Sequence, residues 1–143
     1  MPHIVVLYTA NVEADADIPG LCRALADTLL AQRDEAGKPV FPKGGTRVFA
    51  VPSAHHAVSD GGAAGLVADG DGDYGFVYVN LRMGAGRSGA VQRAVGDALS
   101  ACIRDRLAPL LAVRHAGITL QIDEAPGQVY DAKLGNLHAL FAA

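Results

Sequence analysis

Few residues in this chain combine a reactive group with a spacing that could use it. The first is Pro2, which follows the initiator Met1. Methionine before proline is normally removed, and its loss leaves a secondary amine at the start of the chain. Such an amine is nucleophilic and basic, and an unperturbed α-amino group titrates near about 7.7–8.0. Apolar burial and a nearby guanidinium both disfavour its cation and lower that value. An amine poised near working pH is a good general base. Read alone, Pro2 serves equally as an inert first residue of a strand, where proline is tolerated.

The second is Gly84-Ala85-Gly86-Arg87-Ser88-Gly89, which matches the GxGxxG spacing between a strand and a helix. A dinucleotide fold also needs an acidic residue about 20 positions on, closing the next strand. Here Asp105 falls within the helix that follows. The general property survives: a helix N-terminus with open N–H groups favours an anion. Arg87 adds a planar bidentate donor suited to a carboxylate. A surface arginine at a turn has the same local sequence.

Other constellations fall short. Asp69, Asp71 and Asp73 alternate as in a calcium loop, but Tyr74 stands where the loop needs glycine and Asn80 where it needs glutamate. His55 and His56 are adjacent, so on a strand they face opposite sides. No further His or Cys stands at ligand spacing, and no metal is expected. His3 and His138 are isolated and read as structural. Cys22 and Cys102 lie on apolar helical faces and read as small hydrophobes, not as a disulfide. No serine has the context of a hydrolase elbow.

Regular elements must position these residues. Residues 3–9, His3 to Thr9, are β-branched and apolar and predict a buried strand. Asp15 and Asp17 precede a helix with Pro19 in its first turn. Ile18, Leu21, Cys22, Leu25 and Leu29 recur at helical spacing, and Gly37 and Pro39 are expected to end it. Val48, Phe49 and Val51 predict a second strand closed by Pro52. Residues 59–73, rich in Gly and Asp, read as a flexible solvated insertion. Tyr74 to Leu81 predicts a third strand. Ser88 caps a long helix with Val91, Val95, Leu99, Cys102, Ile103 and Leu107 on one face. Pro109 should kink or divide that helix. Gly117 stops it, and Ile118 to Ile122 alternate as a fourth strand. The tail from Asn136 to Phe141 is apolar enough to dock.

The order is β-α-β, an insertion, then β-α-β. It predicts an α/β fold of two fused β-α-β units, one sheet with two helices on one face. Order alone does not separate this from a split, ferredoxin-like arrangement. Residues 1–143 read as one domain: a first unit about 2–52, the insertion about 59–73, a second unit about 74–124 and a tail 125–143.

The totals agree with one domain. Of 143 residues, 50% are hydrophobic and only 19% charged, and the mean hydropathy is +0.21. Ordinary globular chains carry roughly 25% charged residues, so the apolar surplus points to a subunit interface. Net charge is −3 with no basic stripe, which argues against nucleic acid. No apolar run approaches a membrane span and no signal peptide is evident, so a cytoplasmic location is expected.

Together, Pro2-His3-Ile4-Val5-Val6, Ile18-Pro19-Gly20-Leu21, Tyr74-Gly75-Phe76-Val77, Gly84-Ala85-Gly86-Arg87-Ser88 and Asn136-Leu137-His138-Ala139-Leu140-Phe141 resemble the 5-carboxymethyl-2-hydroxymuconate isomerases of the tautomerase superfamily. The resemblance runs through nearly the whole chain in order. It implies a trimer of such subunits, the amino-terminal proline as catalytic base, and arginines holding substrate carboxylates. Pro2 takes the first role, Arg87 matches the arginine of the glycine-rich turn, and Arg47 in Gly45-Thr46-Arg47-Val48 is the best match for a second. The implied substrate is a dienol bearing several carboxylates, from bacterial breakdown of aromatic compounds such as homoprotocatechuate. The implied product is its keto isomer, formed without metal or organic cofactor. The insertion departs from the family pattern and bears on the shape of the site mouth. A tautomerase of another 2-oxo acid and a non-catalytic trimeric small-molecule binding module are the alternatives.

Overall fold

The computed structural model describes residues 1–69 and 72–142. Strand β1 (His3–Thr9) leads through a 3-10 turn at Ala10–Ala14 into helix α1 (Ile18–Ala31). A second 3-10 turn, Lys43–Gly45, precedes strand β2 (Arg47–Ser53). Helix α2 (Ala63–Asp69) follows, then strand β3 (Gly75–Gly84), helix α3 (Gly89–Val113) and strand β4 (Ala116–Ala125), with a last 3-10 turn at His138–Phe141.

The strands form one sheet in the order β2-β1-β3-β4. β1 pairs parallel with β2, and β3 pairs parallel with β4. The two units meet through antiparallel β1 and β3, with Ile4 opposite Leu81 and Val6 opposite Val79. Each β-α-β unit therefore closes on its own neighbouring strands. That resolves the alternative left open by element order, because a split arrangement would separate the two strands of each unit.

Alternation sends Ile4, Val6 and Tyr8 to one face of β1, and Val77, Val79, Leu81 and Met83 to the same face of β3; all are buried. α1 covers them with Ile18, Leu21, Leu25 and Leu29, and α3 with Val91, Val95, Leu99, Ile103, Leu107 and Leu110. These helical stripes are the narrow apolar seams that a 3.6-residue period lays against a sheet. Cys22 and Cys102 are free and half-buried against this core.

Both helix starts follow the sequence reading. Asp17 caps α1 by accepting from the Gly20 N–H at 2.9 Å, and Ser88 caps α3 by accepting from the Val91 N–H at 3.2 Å. Other expectations need correcting. α1 ends at Ala31, before Gly37 and Pro39, because the chain then folds into a turn around Asp34. The Asp34 carboxylate accepts from the Ala36 and Lys38 N–H groups, both at 2.9 Å. α3 is not divided at Pro109. One N–H is lost, but Leu107 and Leu110 are fully buried on either side, and the helix closes with Arg114 N–H on Leu110 C=O at 3.0 Å. β2 continues through Pro52 to Ser53, which an edge strand tolerates.

The insertion is also more ordered than expected. The Asp60 carboxylate receives the Gly62 and Ala64 N–H groups at the head of α2, both at 3.0 Å, and Tyr74 Oη receives the Gly65 N–H at 2.9 Å. His115 Nε2 lies 2.7 Å from the Asp69 carboxylate. Asp71 of the rejected calcium loop lies outside the described residues, among which no group of three metal-ligating side chains occurs. Among the described residues, no helix is long and apolar enough to cross a membrane.

Candidate active site

The sheet brings its N-terminal residues to one end. β1 is flanked by β2 and β3, so the chain start lies between the beginning of β2 and the end of β3. The register places Arg47 and Arg82 on either side of His3. Directly opposed residues share a face, so Arg47, His3 and Arg82 form a row on the face that the helices leave uncovered. Pro2 is buried one residue earlier. The two guanidinium groups act on this row. The His3 imidazole is held below its ordinary pKa, first by burial and then by the charges of Arg47 and Arg82. Its Nδ1 is buried without a hydrogen-bond partner.

Met1 fills the space beside Pro2. A Cβ on Gly45 would stand 3.0 Å from Met1 Sδ and 3.1 Å from Pro42 Cγ, so the Met1 side chain is seated against a surface that only glycine leaves open. Met1 also walls a cavity of about 610 Å³ with Phe41, Gly44, Gly45 and the tail residues His138 and Phe141. The tail docks here as its apolar composition predicts, since a Cβ on Gly44 would lie 2.5 Å from His138 Nδ1 and 3.4 Å from His138 Cα. Docking is confined to this last turn; Val129, Tyr130 and Leu134 are exposed. Arg33, Lys43 and Lys133 line the same cavity, and no carboxylate does so among the described residues. An apolar chamber with a cationic rim suits a carbon skeleton carrying carboxylates.

The residues expected to share a site are placed apart within the chain. Arg47 donates to Gly45 C=O at 3.1 Å and lines a neighbouring cavity with Cys22, Thr46 and Phe141. Arg87 donates to Gly84 C=O at 2.8 Å and to Val40 C=O at 3.1 Å, with its guanidinium 4.8 Å from the Phe41 ring centroid. Its Nε is buried without a partner. Phe41 thus separates Arg87 from the Met1 cavity: the ring walls that cavity and stacks on the arginine. Beyond Arg87 lies a smaller hollow bordered by Asp34 and Glu35.

Sequence reading missed Arg82, Lys43, Lys133 and His138. The signal for Arg82 was its place in β3, where it follows Tyr78 and Asn80 at a period of two on the uncovered face. His138 was read as structural and in fact borders the cavity. Within the chain, the described part of the insertion lies away from Pro2. It packs beside Tyr74 and His115, at the start of antiparallel β3 and so at the opposite end of the sheet from Pro2.

Comparison with known proteins agrees with this architecture. The family model for 5-carboxymethyl-2-hydroxymuconate isomerase matches residues 2–141. A curated Escherichia coli protein, 5-carboxymethyl-2-hydroxymuconate Delta-isomerase, is 33% identical over 141 residues, covering 99% of each chain. A crystal structure of a 5-carboxymethyl-2-hydroxymuconate delta-isomerase superposes with a TM-score of 0.95 at 56% identity, over 100% of this chain and 94% of the other. The corresponding isomerase from Deinococcus radiodurans R1 superposes at 0.78 with 31% identity, over 99% of this chain and 95% of the other. A cis-3-chloroacrylic acid dehalogenase family member, at 13% identity and TM-score 0.55, shares the fold alone. With the family model spanning the chain from Pro2 into its final turn, and relatives matched over 94–99% of their lengths, this chain belongs to the 5-carboxymethyl-2-hydroxymuconate isomerase family.

Proposed function

We propose that this chain, once Met1 is removed, isomerises a carboxylated dienol of the 5-carboxymethyl-2-hydroxymuconate type, with the Pro2 amine as base. The observation that carries the reading is the buried Pro2, placed between Met1, which walls a cavity with a cationic rim, and His3, which stands in register between Arg47 and Arg82. Burial and positive neighbours favour the neutral amine. Neutral Pro2 accepts the proton of the enolic hydroxyl. Electron density moves along the conjugated carbons, the hydroxyl becomes a ketone, and the prolyl cation returns the proton to carbon. The proton count is unchanged, and no metal or organic cofactor is required. The negative charge that develops on the substrate is met by fixed cations, the usual source of transition-state stabilisation in such sites.

Arg47 and Arg87 hold substrate carboxylates in this reading. Arg47 spends one hydrogen bond on Gly45 and stands in register with His3. Arg87 keeps Nε unpartnered and lies behind the Phe41 wall.

The chain works as one domain, residues 1–143, in the cytoplasm, and three copies assemble through the uncovered sheet face. That face exposes Leu7 at 45%, Phe49 at 55% and Val51 at 48%, an apolar row on adjacent strands that a partner subunit would bury. Light scattering that returns a monomer mass would remove the trimer. The activity is tested by following the ultraviolet absorbance of the dienol with processed protein and with Pro2→Ala. The variant should lose turnover by at least about 100-fold, the usual worth of a positioned base. Unchanged turnover would sink the assignment.

A further inference from the structure

Among the described residues, Met1 alone lines both of the cavities that flank the start of the chain. The larger lies on the β2 side of the N-terminus and carries Lys43 and Lys133, the latter paired with the Asp131 carboxylate at 2.5 Å. The smaller, about 280 Å³, lies on the β3 side and is lined by His3, Arg82, Gly84 and Ala85. β1 runs between β2 and β3, so the two hollows flank the start of the chain, and Pro2 is the next residue beneath Met1. Loss of Met1 therefore both frees the amine and takes away the residue that lines both hollows.

The two hollows carry charge of the same sign, from Arg33 and Lys43 in one and Arg82 in the other. No carboxylate lines either cavity among the described residues. Arg82 is exposed, directly opposite His3 across the β1–β3 ladder, where facing side chains start roughly 5 Å apart. Its neighbour in register on β4, Asp123, is held instead by the Asn80 amide at 2.7 Å. No hydrogen bond or ion pair engages the Arg82 guanidinium among the described residues.

We propose that Arg82 is a specificity residue that receives the carboxylate farthest from the enolic hydroxyl. The remainder of the skeleton then crosses Pro2 into the cavity bearing Lys43. The inference rests on Pro2 being the base and adds what selects a polycarboxylate over a simple enol acid. A guanidinium offers a carboxylate two parallel N–H donors in a fixed fork, a match that a lysine makes only in part.

The test compares processed wild type, Arg82→Ala and Arg82→Lys on two substrates: the tricarboxylate dienol and phenylenolpyruvate, an enol with a single carboxylate. Arg82→Ala should lower kcat/KM for the tricarboxylate by about 10- to 100-fold, the loss of one charged hydrogen-bonded contact. Read at a pH where the Pro2 amine is neutral in both proteins, the monocarboxylate reaction should lose at least about threefold less than the tricarboxylate reaction. Arg82→Lys should recover part of the loss. Equal losses on both substrates, or none on the tricarboxylate, would overturn the proposal. Calorimetric binding of propane-1,2,3-tricarboxylate, in Pro2→Ala and Pro2→Ala/Arg82→Ala proteins, reads the subsite without turnover. Weaker binding in the second supports Arg82 even if Pro2→Ala alone remains active, the result that would instead remove Pro2 as base. Equal binding overturns Arg82 while leaving Pro2 in place.

Discussion

Arg87→Ala should cost stability as well as activity. The Arg87 guanidinium closes the glycine-rich turn onto Gly84 C=O at 2.8 Å, reaches Val40 C=O at 3.1 Å and stacks 4.8 Å from the Phe41 ring. A hydrogen bond from a charged donor contributes about 1.5–3 kcal/mol, and a part-exposed cation–π contact about 0.5–1 kcal/mol. Two effects reduce the total. The freed carbonyls can accept water, and deletion also removes an Nε that is buried without a partner, itself a cost of about 1–3 kcal/mol. The net loss should be about 2 kcal/mol. Unfolding in urea at one fixed protein concentration measures it, since the proposed trimer would make the midpoint concentration-dependent. Arg87→Lys should recover less than half, because one ammonium cannot span both carbonyls as the planar fork does. Stability unchanged within about 0.5 kcal/mol would refute the bracing role. Lost activity on top of that result would leave Arg87 acting on substrate alone.

Two further perturbations test the placement of the site. Gly44→Ala drives a Cβ to within 2.5 Å of His138 Nδ1 and 3.4 Å of its Cα. It should lift the last turn off the cavity, seen as faster amide exchange over residues 137–142, while the unfolding free energy falls by only about 1 kcal/mol. Exchange as slow as in wild type would mean that the tail does not rest on Gly44. His3 gives a pH signature. Its folded pKa is lowered by burial and by Arg47 and Arg82, so below about 6.5 the unfolded state binds more protons. Stability should fall as pH drops through 6.5 toward the folded value, and His3→Gln should flatten that part of the urea-midpoint profile. A slope the same in both proteins would contradict the row of charges.

The fold was legible where periodicity was strong. The alternation in β1 and β3 and the i, i+4 stripe from Val91 to Leu107 each admit one geometry, and Asp17 and Ser88 announce helix starts by capping chemistry. Pro109 misled because a proline's local cost is set against burial of Leu107 and Leu110, which a single position does not display. α2 was hidden because its support comes from Tyr74 and His115, beyond its own segment. Of the candidate site, only part stands out in the sequence: Pro2 is marked as a candidate by its position in the chain and Arg87 by its turn. Arg82, Lys43 and His138 reach the N-terminus only through strand register and tail docking, which bring together residues far apart in sequence. The surplus of apolar residues likewise finds its place only when the uncovered face of the sheet is seen.

The central claim is that the free Pro2 amine is the base, and ¹⁵N NMR of protein labelled at proline reads it directly. After Met1 removal is verified by intact mass, the Pro2 nitrogen should titrate as a single amine with a pKa below the ordinary α-amino range of about 7.7–8.0, shifted by burial and by Arg47 and Arg82. An amide signal that does not titrate, or an amine titrating at or above that range, would contradict the account.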